Sequence, residues 1–229
     1  MELPDTILIV GGGVFGLSTA LSLSERHPNK KITLIEASST IPNPHGSSVD
    51  TSRIIRADYS NPAYAKLAAD GIKKWRSTEW GQEGRYTENG LALVLLQEEG
   101  ESPESIAEKV IYLPNQAALE KVVPRYAAGM NILGGYLNRG SGWGDAEAGV
   151  RFAKQKLDQM GKVDVKHGEV ERLLFEETSS PSQAKVTGVI LKDAVGSTST
   201  IKADLVILAT GASTGKLVDL RGIVDATGQ

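Results

Sequence analysis

The chain has no cysteine among its 229 residues, which excludes disulfides, thiol catalysis and cysteine-held metals. It leaves the compartment open, because reduced cytosolic and organellar proteins can also lack cysteine. Histidine is almost as scarce. His27, His45 and His167 stand far apart, and no two have metal-ligand spacing. There is no excess of positive charge. Twenty-five Lys and Arg face twenty-eight Asp and Glu, so no broad basic surface calls for nucleic acid. No Ser/His/acid constellation suits hydrolysis. "TGASTGK" is not a P-loop, because Lys216 is followed by Leu217. No heptad or longer internal repeat is visible. The apolar run from Ile7 lacks a basic flank, since Glu2 and Asp5 precede it, and glycines interrupt it. Neither an export signal nor a membrane span is expected there.

What is present starts at once. "TILIV" is a continuous β-branched run, as in a strand buried on both faces. "GGGVFG" follows, with Gly11, Gly13 and Gly16 on the three positions of G-x-G-x-x-G. The first allows a tight turn, the second a close approach by pyrophosphate, the third close packing of helix on strand. The helix opening at Val14 and Phe15 turns its first N–H groups and its dipole toward a phosphate. "KKITLIEASS" reads as the second strand, ending at Glu36 and Ala37. An acid at this distance accepts hydrogen bonds from ribose hydroxyls and repels a 2′-phosphate. These parts in this order predict a dinucleotide site, and leave open whether FAD or NAD fills it.

The loop "ASSTIPNPHGSSVDTSR" delays the next crossover helix that a simple NAD domain would show. Ser47, Ser48 and Thr51 offer hydroxyls to phosphate oxygens, although loop solubility explains any one of them equally well. His45, in the same loop, is read as a surface residue, with a contact to the cofactor as the alternative. Arg53 and Arg56 then bracket two isoleucines in a segment too apolar for an ordinary solvent loop. Such cations can grip a carboxylate through two hydrogen bonds, or pair structurally with Asp50 or Asp58.

"GGGVFGLSTALSL", "LIEA", "PHGSSVDTSRIIRADY" and "ADLVILATGA" together resemble the D-amino-acid oxidase superfamily of FAD enzymes. The nearest branch is the sarcosine oxidase, pipecolate/saccharopine oxidase and fructosyl-amino-acid oxidase group. The resemblance implies FAD as cofactor and a loop, Ser47 to Arg53, running beside the flavin's pyrophosphate and ring. It implies that Arg53 faces the isoalloxazine and Arg56 the substrate carboxylate. It also implies that backbone near Val170 faces the adenine, and that Thr210 and Gly211 pass near the dinucleotide. The activity implied is oxidation of the C–N bond of a secondary or N-substituted amino acid, with oxygen as acceptor. The setting implied is intracellular, cytoplasmic or peroxisomal. A non-catalytic FAD-binding fragment and an NAD-dependent dehydrogenase are the alternatives.

The fold class expected is α/β: a Rossmann-like FAD-binding domain with an inserted, incomplete α+β substrate domain. Residues 1–85 and 145–218 are assigned to the first, and 86–144 to the second. Residues 219–229 are read as the start of a missing substrate-domain segment, and the chain as an N-terminal portion. In the middle, "NPAYAKLAADGIKKWRS" predicts an amphipathic helix capped by Asn61, with Tyr64, Leu67, Ala68, Ile72 and Trp75 as a core stripe. "LALVLL" predicts a strand of a different sheet, and "QEEGESPES" a solvated loop or helix start. Tyr126, Tyr136 and Trp143 are read as core residues, with an amine pocket as the alternative.

Overall fold

The computed structural model describes residues 2–95, 110–124, 132–176 and 185–218. The chain divides into two compact units, one formed up to Asp50 and again from Glu147 on, the other Thr51–Ala146. The first unit opens with β1 (Thr6–Val10), α1 (Val14–Arg26) and β2 (Lys31–Glu36). The second holds β3 (Arg53–Ile55), α2 (Pro62–Ser77), β4 (Tyr86–Thr87), β5 (Leu91–Leu95) and β6 (Val110–Leu113). It continues through α3 (Gln116–Val122), β7 (Gly134–Asn138) and β8 (Gly142–Gly144). The chain returns with α4 (Ala146–Met160), β9 (Val163–His167), β10 (Glu169–Phe175), β11 (Val186–Lys192), β12 (Thr198–Lys202), β13 (Leu205–Leu208) and a short α5 (Thr214–Leu217).

In the first unit, four parallel strands run in the order β13-β1-β2-β9. β1 is central, which is why "TILIV" is almost wholly apolar. Ile7, Leu8, Ile9 and Val10 are all buried. α1 presses Leu17, Ala20 and Leu21 inward. A separate antiparallel sheet, β10-β11-β12, supplies Leu173, Val189 and Leu191 to a cluster with Leu8, Val10 and Ile35. Residues 186–202 form the antiparallel pair β11 and β12, and the chain then enters the parallel sheet as β13, whose four residues are only partly buried.

The second unit contains two small antiparallel sheets, β3-β8-β4 and β5-β7-β6. "LALVLL" does join a different sheet, as β5. Leu113, Leu119, Ile132 and Leu137 form this unit's apolar cluster. The unit begins earlier than the expected boundary at 86. Arg53 pairs opposite Gly144 and Tyr86 lies on the other side of that same residue, so 51–85 is tied by backbone to β8. α2 starts as its sequence requires, Asn61 Oδ1 accepting from the Ala63 and Tyr64 N–H groups and Pro62 in the first turn. The expected core stripe is only half right. Ile72 is buried and Trp75 lies 6.0 Å from the Tyr86 ring, but Tyr64 is 63% and Leu67 72% exposed. Among the described residues, only the C-terminal half of α2 finds a packing partner. The acidic stretch 97–105, Tyr126 and residues 219–229 lie outside the described residues. Among the described residues no helix is long and apolar enough to cross a membrane, and no cluster of His, Cys, Asp or Glu could hold a metal.

Candidate dinucleotide site

A crevice of about 1190 Å³ opens at the carboxyl ends of β1, β2 and β13, where open α/β sheets take their ligands. All of its lining belongs to the first unit. Gly11 ends β1 at φ +108, a conformation L side chains rarely adopt, and a Cβ there would meet the Ala209 carbonyl oxygen at 2.4 Å. Gly16 lies beneath the turn rather than on the crevice wall. A Cβ on it would fall 1.7 Å from the Gly11 carbonyl oxygen, so glycine alone permits α1 to sit this close to β1. Gly13 is the N-cap of α1 and has no side chain with which to cap it. The hydroxyl of Ser48 does so from the far loop, accepting from the Val14 N–H at 3.1 Å. The remaining first-turn N–H groups of α1 have no intrahelical acceptor.

Glu36 ends β2 and is 5% exposed. One carboxylate oxygen, Oε2, accepts from the Gly12 N–H at 2.7 Å. The other, Oε1, accepts from the Ser38 N–H and from Asn43 Nδ2, each at 2.9 Å. A carboxylate has about four lone-pair positions, so roughly one remains, and it is on Oε2. A buried anion held this way suits a sugar hydroxyl and is unfavourable to a 2′-phosphate. The donor set and the glycine cradle fit an adenine dinucleotide without that phosphate.

Gly11, Gly13, Val14, Phe15, Glu36, Ala37, Ser47, Ser48, Val170, Thr210 and Gly211 all line the crevice. Thr51, Arg53 and Arg56 do not. They fall in the second unit. Arg53 is the first residue of β3 and is exposed. Arg56 follows the strand, with Nη1 3.8 Å from Asp58 Oδ2 and 3.4 Å from the Asp58 carbonyl oxygen, and its guanidinium 4.9 Å from the Tyr59 ring centroid. The structural pairing with Asp58 is therefore real but long. Asp58 itself is 6% exposed and takes a hydrogen bond from the Tyr136 hydroxyl on Oδ2. Burial first, and the Asp58 carboxylate second, push the Tyr136 phenol well above its ordinary range. The segment is less buried than its two isoleucines suggest, since Ile54 is 61% exposed.

His45 is exposed, as expected of a surface residue, and it also lines the crevice. So does Asn43, whose only local signal is its place between two prolines, and so does Lys216 at the end of the rejected "TGASTGK".

Residues 6–228 match the family described as FAD dependent oxidoreductase. The amino acid oxidase imqH of Aspergillus flavus is 31% identical over 95% of this chain and 54% of its own length. The amino acid oxidase fsqB of Aspergillus fumigatus is 30% identical over 98% and 52%. The L-saccharopine oxidase of Schizosaccharomyces pombe is 42% identical over a shorter stretch, 31% of this chain and 16% of its own. Among solved structures, the fructosamine oxidase Amadoriase II of Aspergillus fumigatus superposes with a TM-score of 0.76 at 23% identity, covering 96% of this chain and 50% of that one. A thermally stable fructosyl peptide oxidase mutant gives 0.76 at 21%, covering 94% and 52%. This chain thus spans about half the length of the amino acid oxidases it matches. Glycine turn, buried acid at the end of β2 and a family match over nearly the whole sequence agree, and the chain belongs to the FAD-dependent oxidoreductase family.

Proposed function

We propose that the first unit binds FAD across the amino end of α1, and that the second carries part of a substrate site for oxidising the C–N bond of a secondary or N-substituted amino acid. The observation that carries this reading is the crevice in which the glycine turn and the buried Glu36 carboxylate lie side by side, the Gly12 N–H donating to Oε2. The substrate class is supported by the relatives. Saccharopine and fructosyl peptides, in the names of two of them, share an amino nitrogen bearing a carbon substituent. The FAD-dependent family sets the NAD-dehydrogenase alternative aside. An intracellular setting, cytoplasmic or peroxisomal, goes with the reading.

Bound FAD supplies the two-electron acceptor, which oxygen returns to its oxidised state with formation of peroxide. The chain's own part is to bind and orient. Gly13 and Ser48 leave room and donors for the pyrophosphate, and Glu36 takes a ribose hydroxyl. Arg56 would receive the substrate carboxylate. Its guanidinium has five N–H donors, and Asp58 engages only Nη1, at long range. Arg53 would face the flavin ring. The substrate gives up a hydride equivalent and a proton across its C–N bond, and water hydrolyses the resulting imine to an amine and a carbonyl compound.

The test is an absorption spectrum of the purified chain, then anaerobic titration with sarcosine, pipecolate, saccharopine and a fructosyl amino acid. A flavin spectrum bleached by one or more of them is expected. A flavin-saturated chain that none of them bleaches would reduce the protein to a non-catalytic FAD-binding module. A chain that takes up no flavin would refute the crevice assignment itself.

A further inference from the structure

Asn43 ties Glu36 to the loop that carries Ser48, and nothing in the glycine motif or the acid points to it. Its side chain makes two bonds of opposite sense. Nδ2 donates to Glu36 Oε1 at 2.9 Å, and Oδ1 accepts from the His45 N–H at 2.9 Å. The orientation of the amide is fixed by this pair. Turned over, it would set a carbonyl against a carboxylate and an NH₂ against an N–H. The Asn43 carbonyl oxygen accepts from the Gly46 N–H at 2.9 Å, closing a second turn over the same residues. Two residues later Ser48 reaches the Val14 N–H. The loop from Asn43 to Ser48 is thus fastened to Glu36 at one end and to the start of α1 at the other.

The bond to Glu36 also decides which oxygen the ligand meets. Ser38 and Asn43 fill Oε1, so Glu36 presents Oε2 to the crevice. We infer that Asn43 is a positioning residue of the dinucleotide site: it holds the Glu36 carboxylate in the rotamer that receives a ribose hydroxyl and ties the phosphate-side loop to it. The inference rests on the assignment of this crevice to FAD. It adds a residue through which the sugar and phosphate contacts are coupled.

Two substitutions separate the functions of the side chain. Asn43→Ala removes both bonds. Asn43→Asp keeps an acceptor for the His45 N–H, and so the turn, but replaces the donor to Glu36 with a second carboxylate. Two carboxylates at hydrogen-bond distance cannot both ionise freely, and one takes up a proton as pH falls. The other charged groups around Glu36 are His167, in register with it on β9, and Glu169, Glu171, His45 and Lys216 on the crevice wall. These are common to wild type and variant, so the ratio of their affinities reports the new pair alone.

The experiment is a fluorescence titration of the apo chain with FAD, beside thermal melts of the same samples. Loss of a hydrogen bond to a charged group predicts that Asn43→Ala raises the FAD Kd by about tenfold. Asn43→Asp is expected to weaken FAD at least as much at about pH 8, and to recover most of the loss at about pH 5.5, where the pair shares a proton. Apo Asn43→Asp that melts early at the higher pH and normally at the lower one reads the same repulsion and supports the inference. Variants that bind FAD as the wild type does at both pH values overturn it, with the crevice assignment intact. So does Asn43→Asp that has lost its fold at both, because the residue would then be structural. A wild-type chain that does not bind FAD overturns the inference and the crevice assignment together.

Discussion

Gly13 and Gly16 belong to one glycine motif, yet alanine at each is expected to fail in a different way. At Gly16 the new Cβ would lie 1.7 Å from a backbone oxygen, where real Cβ contacts essentially never fall below 3.0 Å. The obstacle is the carbonyl of Gly11, which cannot rotate aside, so α1 has to retreat from the sheet by more than an ångström. Overpacking costs about 1–3 kcal/mol, and an immovable neighbour places Gly16→Ala near the upper end. In a domain of this size each kcal/mol is worth roughly 2–4 °C, so the melting point should drop by about 6–12 °C. Gly13 has φ −76 and ψ −171, which any L residue adopts. Its Cβ would stand 3.2 Å from Ser48 Oγ, a hydroxyl free to turn away. Losing the Ser48–Val14 bond costs about 0.5–1.5 kcal/mol, offset by about 0.4–1 kcal/mol from a stiffer unfolded chain. The apo protein should therefore melt close to wild type. The added methyl nevertheless occupies the wall along which the pyrophosphate has to pass. Melting curves of both variants with and without FAD distinguish the two effects. Gly16→Ala should melt early in either condition, while Gly13→Ala should lose only the rise in melting temperature that FAD produces. A stable Gly16→Ala would refute the packing argument, and a Gly13→Ala chain with the full FAD-induced rise would refute the placement of the ligand.

Three further predictions concern the second unit. Arg56→Lys should weaken carboxylate substrates by about ten- to a hundredfold, the worth of one charged hydrogen bond, while FAD affinity stays within error. Arg53→Lys should instead perturb the flavin spectrum first, and a change in melting temperature alone for both would return Arg56 to a structural partner of Asp58. Burial, followed by the Glu88 carboxylate, raises the Tyr86 phenol from 10.0 to about 12. A raised folded value means that this contribution is intact below pH 10 and is lost as pH climbs toward about 12. Tyr86→Phe should flatten the alkaline decline in stability over that window, and an unchanged decline measured by urea unfolding would count against the assignment.

How much of this could be read from the sequence depends on how far apart the interacting residues are. β1, the glycine turn, α1 and Glu36 were legible because one unbroken segment of about thirty residues encodes them and each part constrains the next. A strand buried on both faces has to be apolar throughout, and "TILIV" is. The boundary at residue 51 was not legible, because what draws β3 into the second unit is pairing between Arg53 and Gly144, and no local pattern announces a partner ninety-one positions away. The same holds for Asp58 and Tyr136, which meet across seventy-eight positions. α2 shows the opposite limit. Its periodicity placed Tyr64, Leu67, Ile72 and Trp75 on one stripe, but periodicity states only that residues share a face, not that anything covers it. Asn43 marks a third limit. It lies only seven residues from Glu36, close enough for sequence to suggest contact, but its effect depends on the direction in which an amide is turned. Composition and spacing are silent on that direction. It is set by the His45 N–H on one side and the carboxylate on the other, so a positioning role of this kind becomes visible only when both ends of the hydrogen-bond chain are seen together.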